Sequence, residues 1–337
     1  MNWKISNLSY SLLLGFILAI PAISQQTDRD IYVSLYKQSE YEKAIIVLKR
    51  LTKQKASDGD AWYYLGLTYL KVEKEKDAAR ALEKAVALKP SEALFRTGLA
   101  YAYLLRNDQR AWNEASESLK LDTKNAEAHY ILGVSNLRTA SYNMAYERAR
   151  KAIELNPKFT NAYLLKSQAL VSSFSLQSGT VVRPKSARNE MLLEAVGDLE
   201  TFIELSPQNK ESNFYKTYLE SIKFFAEYYN RPENQKPVSF DDPPVAGSNK
   251  TPVKIISKPR ATYTDKARQA NVSGTIRLLV GLSADGKVSH IMVLKGLGYG
   301  LDERALAAAR QIKFEPQKQD GKPVSTVVTF EYSFAIY

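Results

Sequence analysis

The residues able to do chemistry are few and scattered. The chain has 337 residues, no cysteine, and two histidines, His129 and His290. Without thiols there is no disulfide, no cysteine nucleophile, no zinc finger and no thiolate-held iron–sulfur cluster. Two histidines so far apart do not make a His-rich metal site, and no Ser-His-Asp order, phosphate loop or metal-ligand spacing appears. Adjacent carboxylates occur at Asp241-Asp242 and Asp302-Glu303. The first pair stands in a proline-rich stretch. The second opens a helical pattern, where the helix dipole favours negative charge, so neither reads as an acid/base pair. Gly296-Leu297-Gly298-Tyr299-Gly300 fails the dinucleotide spacing and reads as a loop. His290 sits in a strand pattern as a surface or packing residue. The expectation is a protein that is no enzyme and holds no cofactor.

Charge narrows the partners. Lys and Arg number 47 against 36 Asp and Glu, a net charge of +11. The excess is spread out, densest per residue after 253, with no block of five like charges. A nucleic-acid binder shows a denser stripe interleaved with exposed aromatics, so nucleic acid is not expected as a partner. With 45% apolar residues, the chain can build real cores.

The elements that carry these residues begin with an internal repeat. Small residues open successive amphipathic helices at Ala44, Ala78, Ala111, Ala145 and Ala195. A second register runs Leu51, Ala85, Ser118, Ala152, Phe202, and a third, marking helix ends, runs Pro90, Thr123, Pro157, Pro207. The last interval is longer, which predicts an insertion, read as a loop around 174–189 (FSLQSGTVVRPKSARN). In the best-preserved unit, Gly59–Pro90, Trp62, Leu65, Gly66 and Tyr69 share one helical face, and Ala78, Leu82 and Ala85 share another. Ala126–Pro157 repeats the pattern with Leu132, Gly133, Tyr142, Ala145, Ala152 and Pro157. These units resemble the tetratricopeptide repeat. Units 28–56 and 93–123 are blurred, and Lys210–Asn230 reads as a closing helix. Helix pairs of this kind bury their apolar faces only by stacking into a superhelix with a concave inner surface. That surface should carry Tyr63, Leu67, Lys71, Tyr130, Val134, Arg138, Leu164 and Gln168, a groove for an unidentified protein or peptide in which Tyr63, Lys71, Tyr130 and Arg138 are the binding candidates.

Both flanks of the array differ from it. Residues 1–24 (MNWKISNLSYSLLLGFILAIPAIS) pair Lys4 with a short apolar run and the small residues Ala22 and Ser24, a signal peptide with cleavage expected before Gln25. The run is shorter than the ~20 residues of a spanning helix. Residues 231–252 are proline-rich, a semi-rigid spacer expected to hold 253–337 away from the array as an independently folding unit. After it the period becomes two: Val272, Gly274, Ile276, Leu278, Val280 and Leu282 alternate, Ala284-Asp285-Gly286 turns, and Lys287–Lys295 returns. A short helix upstream is capped by Thr264, a second helix covers Leu301–Ile312, and a last strand covers Val324–Phe334.

The order Pro259-x3-Tyr263, Ala267, Val272-Ser273-Gly274-Thr275, Asp285-Gly286-Lys287-Val288, Gly298, Leu301-Asp302, Ala305, Ala308, Phe314-x-Pro316, Gly321, Pro323-Val324 and Phe330 resembles the TonB C-terminal domain. The fold expected is multidomain: an all-α tetratricopeptide-like array over 28–230, then a small α+β domain over 253–337. The resemblance implies a periplasmic domain of the cell envelope that grips an extended segment of an outer-membrane TonB-dependent receptor by strand addition. The expected acceptor is the edge Val324–Phe334, with Val324, Thr326, Val328, Phe330, Tyr332 and Phe334 facing the helices. Ser325, Val327, Thr329, Glu331 and Ser333 should face outward, with Lys313, Lys318 and Lys322 favouring an acidic or polar peptide. Alternatives stay open: an inner-membrane-anchored energy transducer with an uncleaved N-terminus, an envelope-assembly scaffold that binds no receptor, and a homodimer through the same sheet edge.

Overall fold

A computed structural model describes residues 27–176, 185–209, 212–230, 238–239 and 249–336. The expected signal peptide, the centre of the insertion and most of the proline-rich stretch lie outside the described residues.

The array is built from antiparallel helix pairs: α1 (Asp28–Lys37) with α2 (Tyr41–Gln54), α3 (Gly59–Lys71) with α4 (Glu75–Leu88), α5 (Ala93–Leu105) with α6 (Arg110–Leu121), α7 (Ala126–Arg138) with α8 (Tyr142–Leu155), and α9 (Thr160–Leu176) with α10 (Lys185–Leu205), closed by α11 (Ser212–Asn230). The blurred units are therefore complete pairs. The helices start where side chains can satisfy orphan amides: Asp58 accepts from Ala61 N–H and Asn125 from Ala128 N–H, both at 3.0 Å. They stop two residues before Pro90, Thr123, Pro157 and Pro207. Each turn inside the first four pairs has one left-handed residue, Ser39, Glu73, Asn107 or Ala140. The next N–H then reaches back five residues, Glu40 to Leu35 O, Lys74 to Tyr69 O, Asp108 to Tyr103 O and Ser141 to Asn136 O. This is the Schellman closure, made here without glycine.

Packing follows the small-residue register. Ala44, Ala78, Ala145 and Ala195 expose no surface. Where α3 crosses α4, a Cβ on Gly66 would stand 2.4 Å from Leu82 Cγ, so only hydrogen fits. The insertion is not simply a loop. Much of it lengthens its own helices, for α9 has 17 residues and α10 has 21, against 13 and 14 in α7 and α8.

The C-terminal unit begins with β1 (Val238–Ser239), β2 (Lys250–Thr251) and β3 (Lys254–Ser257). It continues through α12 (Asp265–Gln269), β4 (Gly274–Leu282), β5 (Val288–Lys295), α13 (Leu301–Ala309), β6 (Lys313–Glu315), β7 (Gln317–Gln319), β8 (Lys322–Val324) and β9 (Thr326–Phe334). The main sheet has the order β1-β9-β4-β5, with β4 antiparallel to both long neighbours. Small ribbons join β2-β7-β8 and β3-β6. Gly286 supplies the positive φ, 82°, of the β4–β5 turn. One face of the sheet, with Ile276, Leu278, Val280, Phe330, Tyr332 and Phe334, packs on α12 and α13.

The opposite face is also apolar, and it settles the relation between the two units. Leu279, Met292, Leu294 and Val327 share one core with Leu192, Leu199, Ile222 and Phe225 of α10 and α11. Tyr218 donates its hydroxyl to Val293 O at 3.5 Å, and the His290 ring stacks on Phe224 with centroids 4.0 Å apart. The expectation of a domain held away by a spacer is corrected here. A sheet apolar on both faces needs a second layer, and the end of the array provides it.

Candidate functional site: an inner groove and a sheet edge

The inner face of the array forms a groove of about 490 Å³ lined by α1, α3, α5, α7 and the start of α9. Its walls are aromatic and aliphatic. Tyr36, Tyr63, Tyr101, Tyr130 and Phe159 contribute rings, and Lys71 and Glu127 are the charged groups in the lining. The rings brace one another, with Tyr63 stacked on Phe95 at 4.6 Å and Tyr130 tilted against Phe159 at 5.0 Å. Burial pushes the Tyr130 phenol up to about 12 and raises that of Tyr63 as well, so both hydroxyls stay protonated and can donate. Three of the expected inner-face candidates, Tyr63, Lys71 and Tyr130, thus meet at one groove, together with Leu67.

Arg138 is placed differently. Its Nη1 donates to Leu104 O at 3.0 Å, and its guanidinium lies 5.0 Å from the ring centroid of Tyr299. The Tyr299 hydroxyl donates to the same Leu104 carbonyl at 2.9 Å. Desolvation lowers the Arg138 pKa from its ordinary value. Arg138 therefore holds the loop after β5 against the array. Val134 and Leu164 are partly buried against neighbouring cores.

The second surface is the outer edge of β9. The strand begins at Thr326, for Val324 belongs to β8 and pairs with Gln317. Alternation holds from Phe330 onward: Phe330, Tyr332 and Phe334 are buried, while Thr329, Glu331 and Ser333 are exposed. Val327 departs from its expected exposure. Only 6% of it is accessible, because the outward face at this end is covered by the array. Ser325 accepts the Ala284 N–H at 3.1 Å, Glu331 pairs with Arg277 at 3.5 Å, and Ser333 lies 3.4 Å from Thr275 Oγ1.

Backbone direction decides what the edge offers. Lys258 Nζ reaches the Glu331 carbonyl at 2.9 Å from outside the sheet, so that carbonyl points away from β4. A residue's N–H and C=O leave a strand on the same side, and the side alternates. The amides and carbonyls of Val327, Thr329, Glu331 and Ser333 therefore aim away from β4, toward the side on which β1 pairs at Val327. Lys313, Lys318 and Lys322 are exposed in the same unit.

Residues 259–336 match the family described as Gram-negative bacterial TonB protein C-terminal, and residues 59–92 match the tetratricopeptide repeat. The chain carries a TonB C-terminal domain behind a tetratricopeptide array. No curated protein matches it. Among solved structures, MamA is 23% identical and covers 56% of this chain and 93% of its own, with a TM-score of 0.40. TTC0263, a thermophilic TPR protein in Thermus thermophilus, is 18% identical, covering 59% of this chain and all of its own at a TM-score of 0.44. YrrB, described as a TPR protein with an unusual peptide-binding site, is 16% identical, covering 56% of this chain and 90% of its own at a TM-score of 0.40.

Both modules are of protein-interaction type. In the TonB C-terminal domain, two residues that sequence reasoning passed over prove structural keys. Tyr299 joins the domain to the array, and Lys258 covers part of the β9 edge. Glycines on both sides of Tyr299 were the available signal, since they let one aromatic project from a tight loop. Asp302 serves the same loop, accepting from Leu297 N–H at 2.8 Å and Gly298 N–H at 3.2 Å. Among the described residues there is no cluster of His, Asp and Glu suited to a metal ion, and no helix long and apolar enough to cross a membrane.

Proposed function

We propose that this chain is a non-catalytic adaptor of the cell envelope, exported to the periplasm by residues 1–24. It takes an extended segment of an outer-membrane TonB-dependent receptor on the β9 edge and a second protein or peptide in the tetratricopeptide groove, in service of TonB-dependent transport. The observation that carries this reading is the outward direction of the Thr329 and Ser333 backbone on the side of β9 away from β4, where both side chains are exposed. Edge amides and carbonyls are a template for strand addition, and main-chain pairing gives affinity while alternate side chains give specificity. The groove supports the second half of the reading through its concave shape and its protonated tyrosine donors.

Photocrosslinking in intact cells tests it. A benzoyl-phenylalanine placed at Thr329 or Ser333 should crosslink to the N-terminal segment of an outer-membrane receptor, mapped by mass spectrometry of the adduct. The same preparation yields the mature N-terminus, expected at or near Gln25. Crosslinks confined to a second copy of the chain would replace receptor binding with homodimerisation. An intact Met1 in the inner membrane would replace the adaptor with an anchored transducer.

A further inference from the structure

The β9 edge is not empty along its whole length. Val238 and Ser239 pair with it in parallel, Val238 opposite Thr326 and Ser239 opposite Val327. Further along, the Lys258 ammonium takes the Glu331 carbonyl at 2.9 Å and lies 5.1 Å from the Tyr332 ring centroid. Both groups come from this chain. Among the described residues, β1 and Lys258 leave the outward backbone of Thr329 and Ser333 uncovered.

From these contacts we propose that the chain caps its own acceptor edge, with β1 as a resident strand that a partner strand must displace. The inference rests on strand addition at β9 as the domain's binding mode. Two features make the cap displaceable rather than permanent. Its pairing among the described residues is two residues long, whereas a partner pairing from Val327 to Ser333 satisfies the whole outward row of backbone groups. It is also tethered: the chain is anchored again where Asn249 N–H donates to Asp320 Oδ1 at 3.3 Å and Asp320 N–H donates to Asn249 O at 3.0 Å. A short tether gives a cis segment an effective concentration of order millimolar, enough to compete with a weak strand but not with a long one. The cap therefore sets a threshold. It keeps a long, little-charged edge from pairing with other edges, which is the hazard that edge strands present.

The test uses the chain's own segment as probe, so it does not depend on knowing the receptor. A fluorescent peptide of residues 235–243 (QKPVSFDDP) is titrated against the full chain and against a variant in which 235–243 is replaced by a Gly/Ser stretch of equal length. Fluorescence anisotropy should show binding to the uncapped variant at least tenfold tighter than to the full chain. Amide exchange adds a readout without ligand: the Val327 N–H should lose at least tenfold protection when the cap is replaced, while Leu279 N–H in β4 keeps its own. Equal peptide affinity for both proteins, or unchanged Val327 protection, overturns the cap. Receptor crosslinks at Thr329 that persist alongside either result would leave strand addition standing and remove only the cap.

Discussion

Single residues show most clearly where sequence and structure part. Tyr63, Lys71 and Tyr130 were legible because helical spacing places them opposite the packing face, and the groove holds all three. Arg138 obeys the same spacing, yet its role is set by Tyr299, far away in sequence, and no local pattern reveals a partner of that kind. Asp198 was equally hidden. It sits 7% exposed on α10, receives Lys166 Nζ on Oδ1 at 3.0 Å, and finds no partner for Oδ2 among the described residues. Glu194 also pairs with Lys166, at 2.8 Å. Burial outweighs the attraction of Lys166 and raises the Asp198 carboxyl to about 6 from an ordinary 3.8. The unfolded chain then releases this proton more readily than the folded one. Ionisation of Asp198 costs stability as pH rises through 4 to 6, and stability returns as pH falls again. Between pH 7 and pH 5 the native protein should gain about 1 kcal/mol relative to Asp198→Asn. Thermal melts of both proteins at the two pH values check this. A difference that does not change with pH contradicts the assignment.

At the scale of elements, the repeat registers foretold every helix pair because each register marks a physical necessity. Small residues let helices meet, and Pro or Thr marks where they stop. Gly66 gives the sharpest case, since a methyl group there would meet Leu82 Cγ at 2.4 Å. Gly66→Ala should destabilise the array by about 1–3 kcal/mol despite the better helix propensity of alanine, through overpacking. Denaturant unfolding read by far-ultraviolet circular dichroism measures it. A neutral or stabilising result would mean that α3 and α4 separate at little cost. The left-handed turns were barely legible, for of Ser39, Glu73, Asn107 and Ala140 only Asn107 is a residue type that readily takes that region. The strands divide in the same way. Alternation in β4 disclosed the helix-facing residues, but Leu279, Met292 and Leu294 fall on the other face. They mark a second buried side that reads as noise when only one face is sought. The short strands β3, β6, β7 and β8 lie below the length at which a period can be seen.

For the molecule as a whole, that second face changes the architecture. The TonB C-terminal domain rests on α10 and α11 through a shared core and on α5 and α7 through Tyr299, so the groove and the β9 edge are carried by one packed body. The proline content after Asn230 suggested separation, because composition reports the stiffness of a segment and not where its ends are held. The central claim is that β9 binds a receptor by backbone pairing at its outer edge. The most direct measurement is calorimetric titration of the full chain, and of its Thr329→Pro variant, with synthetic N-terminal segments of outer-membrane TonB-dependent receptors. Proline at 329 deletes one outward amide donor and leaves the ladder to β4 intact, because that ladder uses the alternate residues. The account predicts saturable binding to the native chain, weakened at least tenfold by Thr329→Pro while the circular dichroism spectrum and melting profile stay native. Equal affinity for both folded proteins would contradict it.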